Sequence, residues 1–272
     1  MSETSRPLVT VSEASEVIFG GRLDERSRKT SPWSVLTGWV TRDIVSARGH
    51  HFLARGLGPD AVVLDLGAHK GEFSKALCAI GCRCVAVEAN PVLSKCIAPS
   101  ERLTVISGAI DVESGSRAFF VHENPEASSL QSTDDPATRI EQIRTFALPD
   151  VFLAANIDHA HLVKIDIEGT EVAMLNSLPK EILRRCDQIT VEFHDLHSQH
   201  ISTADVERVI QRLEACGCYA MSFSRGYTDV LFVRCDTALL RPWEVWYVKA
   251  CLRYLLAFGR RLARSRIPRR KS

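Results

Sequence analysis

Acids stand at the ends of four short apolar runs in this 272-residue chain. Asp65 precedes Gly67-Ala68-His69-Lys70-Gly71, and Glu88 precedes Ala89-Asn90. A third run closes as Lys164-Ile165-Asp166-Ile167-Glu168-Gly169, and a fourth as Glu192-Phe193-His194-Asp195. Carboxylates and imidazoles can accept a hydroxyl proton, take the hydroxyl groups of a ligand or hold a cation. Their recurrence at four run ends, in a body that otherwise alternates cleanly, marks a site rather than solvated strand ends.

The elements that must carry these residues read as an α/β alternation. Ala61–Leu66 is an almost continuous apolar run suited to a strand buried on both faces, and Phe73, Ala76, Leu77 and Ile80 then make one helical face ended by Gly81. Strands are expected at Arg83–Glu88, Leu103–Ser107, Ser116–Glu123, His161–Ile167 and Gln188–Phe193, with a helix start at Asn90-Pro91 and helices over Pro149–Ala155 and Glu171–Leu178. Ser202 to Asp205 has the form of a capping box, Gly217 closes that helix, and Tyr219–Ser224 with Thr228–Val233 finish as a strand pair. The expected fold is a doubly wound, mostly parallel, Rossmann-like sheet with a terminal antiparallel strand. Residues 1–58 are expected as an N-terminal extension, 59–236 as the ligand-binding domain and 237–272 as an amphipathic basic tail. No internal repeat is visible.

In such sheets ligands bind beyond the carboxyl ends of the strands. A dinucleotide site would show G-x-G-x-x-G, whereas this chain has G-x-x-x-G at Gly67 and Gly71 with Asp65 two residues earlier. An acid there repels a pyrophosphate and suits a ligand with a positive centre, such as the ammonium and sulfonium of S-adenosylmethionine. Gly71 would let the helix start approach that ligand, with His69 and Asn90 beside it. Glu88, 17 residues past Gly71, can accept both hydroxyls of a ribose, in this cofactor or in NAD.

DLGAHKGEFS, VEANP, the Ser128-Ser129-Leu130 loop, TFALPDVFLAANIDHAHLVKIDIEGTE, EFHD and YTDVLFV together resemble the FkbM-type S-adenosylmethionine-dependent methyltransferases over residues 60–234. The resemblance implies a class I methyltransferase fold and O-methylation of a hydroxyl on a sugar, glycan or polyketide-like small molecule. Two positions depart from the family pattern: His69 stands where Asn is usual, and Ala89 where Pro is frequent.

Methyl transfer to oxygen needs alignment and a proton acceptor. Asp166, Glu168, Glu192 and His194 are the candidates, with Glu168 or His194 preferred as base and Asp166 as a further catalytic residue. Lys164 reads as a carboxylate partner, and Glu171 as sharing a helical face with Glu168. His194, His197 and His200 invite zinc, and Asp166, Glu168, Glu192 and Asp195 invite magnesium, but no metal ligand is assigned. Competing functions are an NAD(P)-linked oxidoreductase, which lacks its third glycine, and a scaffold that binds S-adenosylmethionine without turnover.

Charge is distributed unevenly. Residues 241–272 hold ten Lys and Arg against Glu244, a net of +9, and 24 bases against 32 acids leave −8 on the remainder. An acidic body speaks against nucleic acid. In the tail, Trp243, Trp246 and Tyr247 precede Arg260 and Arg261, so two readings stand: a docked helix with a solvated end, or an anchor on an anionic membrane surface. Nine cysteines set in apolar segments, and no run long enough to span a bilayer, favour a reduced, cytoplasmic setting, peripheral at the membrane on the second reading.

Overall fold

The computed structural model describes residues 44–121, 130, 139–194, 202–222, 227–240 and 243–244. It opens with a hairpin of β1 (Ile44–Ala47) and β2 (His50–Leu53) and continues through β3 (Val62–Leu66), α1 (Glu72–Ala79), β4 (Arg83–Glu88), α2 (Pro91–Cys96) and β5 (Leu103–Ser107). Next, β6 (Ala109–Ile110), β7 (Gly115–Val121) and β8 (Arg139–Phe146) form a separate three-stranded sheet before α3 (Leu148–Ala154). The second half adds β9 (Leu162–Ile165), α4 (Glu171–Ser177), α5 (Lys180–Leu183), β10 (Gln188–Val191), α6 (Thr203–Ala215), β11 (Cys218–Ser222) and β12 (Val230–Arg234).

The central sheet has the order β11-β12-β10-β9-β3-β4-β5, and β12 alone runs antiparallel to its neighbours. Strand order reverses between β3 and β9, so both halves of the winding deliver their strand ends to one crevice. This is the expected doubly wound, Rossmann-like architecture. Side-chain alternation along β3 builds both layers: Leu64 and Leu66 pack with Phe152, Met174 and Leu175, while Val63 packs with Phe52, Phe73 and Leu77 on the opposite face. Asp65 shares the parity of Val63, and that parity sends a carboxylate into the α1 layer.

Local chemistry sets the helix starts. The Asn90 side chain accepts from Val92 N at 2.9 Å and Pro91 takes the first helical position, while Ser202 and Asp205 form a reciprocal capping box. The β1–β2 hairpin lies within residues expected as an extension. Arg48 and Gly49, both at positive φ, make its two-residue turn. The Gln188 side chain then pairs with Leu53 as a strand would, accepting from its N–H at 2.8 Å and donating to its carbonyl at 2.9 Å. Val45, Ala47, Phe52 and Leu53 are buried, so this hairpin belongs to the body's core. The small sheet was expected only as the segment that became β7. Residues 122–129, 131–138, 195–201 and 241–242, and the tail from 245, lie outside the described residues, as do Asp195, His197, His200, Ser128 and Ser129.

Candidate active site

The turn after β3 is fixed by close contact with the end of β9. Gly67 has φ 79°, and a Cβ there would lie 1.7 Å from the Asp166 carbonyl oxygen. Only glycine fits. Gly67 N and Ala68 N both donate to the Val87 carbonyl, at 2.9 and 3.0 Å, so one short turn ties β3 to β4 while touching β9. Gly71, at φ 71°, is the N-cap of α1, and a Cβ on it would meet Ile97 Cγ2 at 2.9 Å. Gly71 was expected to let the helix start approach a ligand. It lies off the cavity wall instead, and its small size serves packing against Ile97.

Beyond these turns opens a cavity of about 370 Å³ whose wall includes Gly67, His69, Glu88, Asn90, Asp166 and Glu168. Glu88 ends β4 and is nearly buried. Its two oxygens accept from His69 N at 2.6 Å and Asn90 N at 2.8 Å, which orients the carboxylate and leaves lone pairs for further donors. Burial raises its pKa, opposed by those two N–H groups and by Lys164. The Asn90 side-chain oxygen Oδ1 is spent on the α2 cap.

Asp65 was expected to face a cationic ligand, and the structure corrects this. It is fully buried beneath the cavity, where Ser74 Oγ donates to it at 2.6 Å and Ser74 N at 3.2 Å. The parallel register sets Asp65 opposite Lys164, whose Nζ stands 3.3 Å from Asp65 Oδ1. Lys164 Nζ also donates to the Gly67 carbonyl at 2.6 Å and lies 3.2 Å from Asp166 Oδ2. Burial would lower the Lys164 pKa, but Asp65 and Asp166 outweigh it and raise it. Asp65 therefore holds a lysine that braces the glycine turn and Asp166.

The ends of β9 and β10 bring the remaining groups together. His194 Nε2 lies 3.6 Å from Asp166 Oδ1 and 3.4 Å from Glu168 Oε2, and His194 Nδ1 is 2.9 Å from Glu171 Oε1. Glu171 is fully buried and also accepts from Gly169 N, which fixes the α4 start beneath the histidine. Burial alone would lower the His194 pKa, yet the Glu171 hydrogen bond and charge, with Glu168 and Asp166, raise it to about 9. Glu168 moves upward to about 7, chiefly by burial and then by Asp166, Glu171 and Glu192, with His194 opposing. For Asp166 burial acts upward, but His50, Lys164 and His194 together hold the carboxyl well below the usual range. Glu168 adopts φ 55°, a left-handed conformation uncommon for a non-glycine residue.

Two residues gain weight that sequence reasoning did not give them. Glu171, read only as a neighbour of Glu168, is the partner of His194. His50, unmarked in the sequence, is almost wholly buried on the cavity wall, 3.6 Å from Asp166 Oδ2 and 3.8 Å from Glu192 Oε2. The signal that would have found it is the Arg48-Gly49 turn between two short runs, Ile44–Ala47 and His50–Leu53. The eight described cysteines are free thiols.

A family model described as Methyltransferase FkbM domain matches residues 65–218. No curated protein matches the chain. Among solved structures, the chain is similar to an FkbM methyltransferase from Methylobacillus flagellatus at 13% identity and TM-score 0.47, covering 76% of this chain and 56% of that one. It thus spans little more than half the length of that protein. It is also similar to the S-adenosylmethionine-bound fibrillarin of Aeropyrum pernix, at 10% identity, TM-score 0.38 and coverage of 65% and 66%. A third is the magnesium protoporphyrin IX methyltransferase of Synechocystis with bound S-adenosylmethionine, at 13% identity, TM-score 0.38 and coverage of 83% and 91%. These likenesses are too remote to assign a substrate. The family match covers more than half of the sequence, from the end of β3 to the start of β11, so the chain belongs to the FkbM methyltransferase family, with a class I fold and S-adenosylmethionine as its cofactor.

Proposed function

We propose that the chain is an S-adenosylmethionine-dependent O-methyltransferase acting on a hydroxyl of a sugar, glycan or polyketide-like small molecule. What carries this reading is one cavity with Glu88 and Asn90 on one part of its wall and Asp166, Glu168 and His194 on another. The residues fit the cofactor. Glu88, already oriented by two N–H groups, would take the ribose hydroxyls, and the Gly67 to His69 backbone would border the methionine part. Asp65 acts at one remove, through Lys164. When bound, S-adenosylmethionine supplies a methyl carbon whose bond to sulfur breaks as the new C–O bond forms, the electron pair passing to sulfur.

Glu168 is the proton acceptor on this reading. A carboxyl near 7 accepts and releases a proton close to neutral pH, whereas an imidazole near 9 is already charged there and makes the poorer base. His194, held as the imidazolium by Glu171, favours the charged form of Glu168 beside it. Asp166 stays ionised and faces both His194 and Lys164. The test is mass spectrometry of reactions with methyl-deuterated S-adenosylmethionine and pools of hydroxylated sugars, glycans and polyketides. A labelled methyl on oxygen supports the reading; label on nitrogen or carbon alone sinks it.

The domain's end at residue 236 also belongs to this proposal, its start now lying upstream of the β1–β2 hairpin that packs in its core, as does the basic tail as a peripheral anchor that brings the domain to lipid-linked glycans at the cytoplasmic face. Among the described residues no helix is long and apolar enough to cross a membrane.

A further inference from the structure

His50 is the anomaly of the site. Its side chain is 1% exposed, and neither ring nitrogen has a hydrogen-bond partner among the described residues. A buried imidazole left in that state costs free energy unless a partner engages it. Its Nε2 faces Asp166 Oδ2 at 3.6 Å and Glu192 Oε2 at 3.8 Å, too long for hydrogen bonds, and all three residues lie on the cavity wall. Three ligand-type groups, one on β2 and one each just past the ends of β9 and β10, therefore converge on one spot.

We propose that His50 Nε2, Asp166 Oδ2 and Glu192 Oε2 bind a divalent cation of the manganese or magnesium class, which also takes the oxygen of the acceptor hydroxyl. Neighbouring ligands of an octahedral ion lie roughly 3 Å apart, since each bond is about 2.1 Å. The three atoms already lie within 4.8 Å of one another, so side-chain rotation closes the difference. Charge favours the same occupant. The connected cluster holds five carboxylates, Asp65, Asp166, Glu168, Glu171 and Glu192, against two cationic side chains, Lys164 and His194. Lys164 shares Asp166 Oδ2, but Gly67 O and Asp65 anchor it, and a carboxylate oxygen accepts two partners.

The role assigned to the ion rests on the O-methylation reading. A divalent ion lowers the pKa of an alcohol it binds. The hydroxyl proton then passes to Glu168, and the freed oxygen pair makes the C–O bond as the methyl leaves sulfur.

The ion site is tested without cofactor or acceptor, by titrating Mn²⁺ into chelator-stripped full-length protein and following the loss of the free-ion EPR signal. One ion per chain is expected, and His50→Ala and Glu192→Gln should each weaken it by about tenfold or more. His50→Gln, which keeps the side chain polar, should show the same loss with an unchanged unfolding temperature. His159→Ala, in the separate cluster with His161 and Asp187, should leave binding unchanged. Absence of binding at millimolar Mn²⁺, wild-type binding in His50→Ala and His50→Gln, or loss in His159→Ala overturns the site. Failure of that titration leaves O-methylation standing. Failure of methyl transfer to every hydroxyl tried, with Mn²⁺ bound, removes the ion's assigned role and the O-methylation reading together.

Discussion

Replacing Glu171 by Gln removes one negative charge 2.9 Å from His194 Nδ1 and keeps a side chain of the same shape. The Gln carbonyl can still accept from Gly169 N, so the α4 start survives. In the native protein His194 titrates near 9 against an ordinary 6.5, and Glu171 is the largest of the groups that raise it against the opposing effect of burial. That gap corresponds to a net coupling on the order of 3 kcal/mol, at about 1.4 kcal/mol per pH unit. Losing the main contributor should bring the titration down by about 1 to 2 pH units, with Glu168 and Asp166 sustaining the rest. The assay is NMR of the ring Cε1–H across pH in the presence of EDTA, with the His194 signal assigned by its loss in His194→Asn. The sign for stability follows from linkage. A histidine whose pKa is raised on folding contributes fully below about 6.5 and loses that contribution as pH rises through about 9. Urea midpoints of wild type and Glu171→Gln should therefore differ most at pH 6 and converge above pH 9. A wild-type His194 that titrates near 6.5, or one unmoved by Glu171→Gln, refutes the reasoning.

Three further outcomes are expected. Glu88→Ala should weaken S-adenosylhomocysteine by about 1.5 to 3 kcal/mol in calorimetry, because charge-assisted hydrogen bonds are lost and His69 N and Asn90 N lose their acceptor; unchanged affinity would move the ribose site elsewhere. Gly67→Ala places a Cβ 1.7 Å from a backbone oxygen and should abolish cooperative thermal unfolding or cofactor binding, so a variant with native Tm and affinity contradicts the turn geometry. Deleting residues 241–272 should abolish salt-sensitive flotation with anionic liposomes, and an intact protein that never floats leaves the tail without a membrane role.

Legibility in the sequence followed local physics. β4 and β5 begin and end where apolar runs do, and the Asn90-Pro91 and Ser202 caps stand where side-chain oxygens can meet free N–H groups. The β1–β2 hairpin was missed because its two strands are four residues each and its anchor, Gln188, lies 135 residues from Leu53. β8 was missed because its pattern is mostly exposed until Ile143, so no period-2 signal marks its first half. The strand-end acids were legible as a group, but their roles were not. Asp65 and Glu88 look alike in sequence, yet the parity of β3 buries one under Lys164 while the end of β4 opens the other to the cavity. His194 and Glu168 stand level as candidate bases in the sequence, and the buried Glu171 beside His194, which sets their electrostatics apart, is a contact that no spacing rule announces.

The most direct test of the account is transfer of a deuterated methyl from S-adenosylmethionine to an acceptor hydroxyl, measured for wild type and Glu168→Gln alongside S-adenosylhomocysteine affinity. The account predicts label on oxygen with wild type, and with Glu168→Gln a turnover lower by about 10²-fold or more at nearly unchanged cofactor affinity. Full turnover in Glu168→Gln, or label that never reaches oxygen, would contradict it.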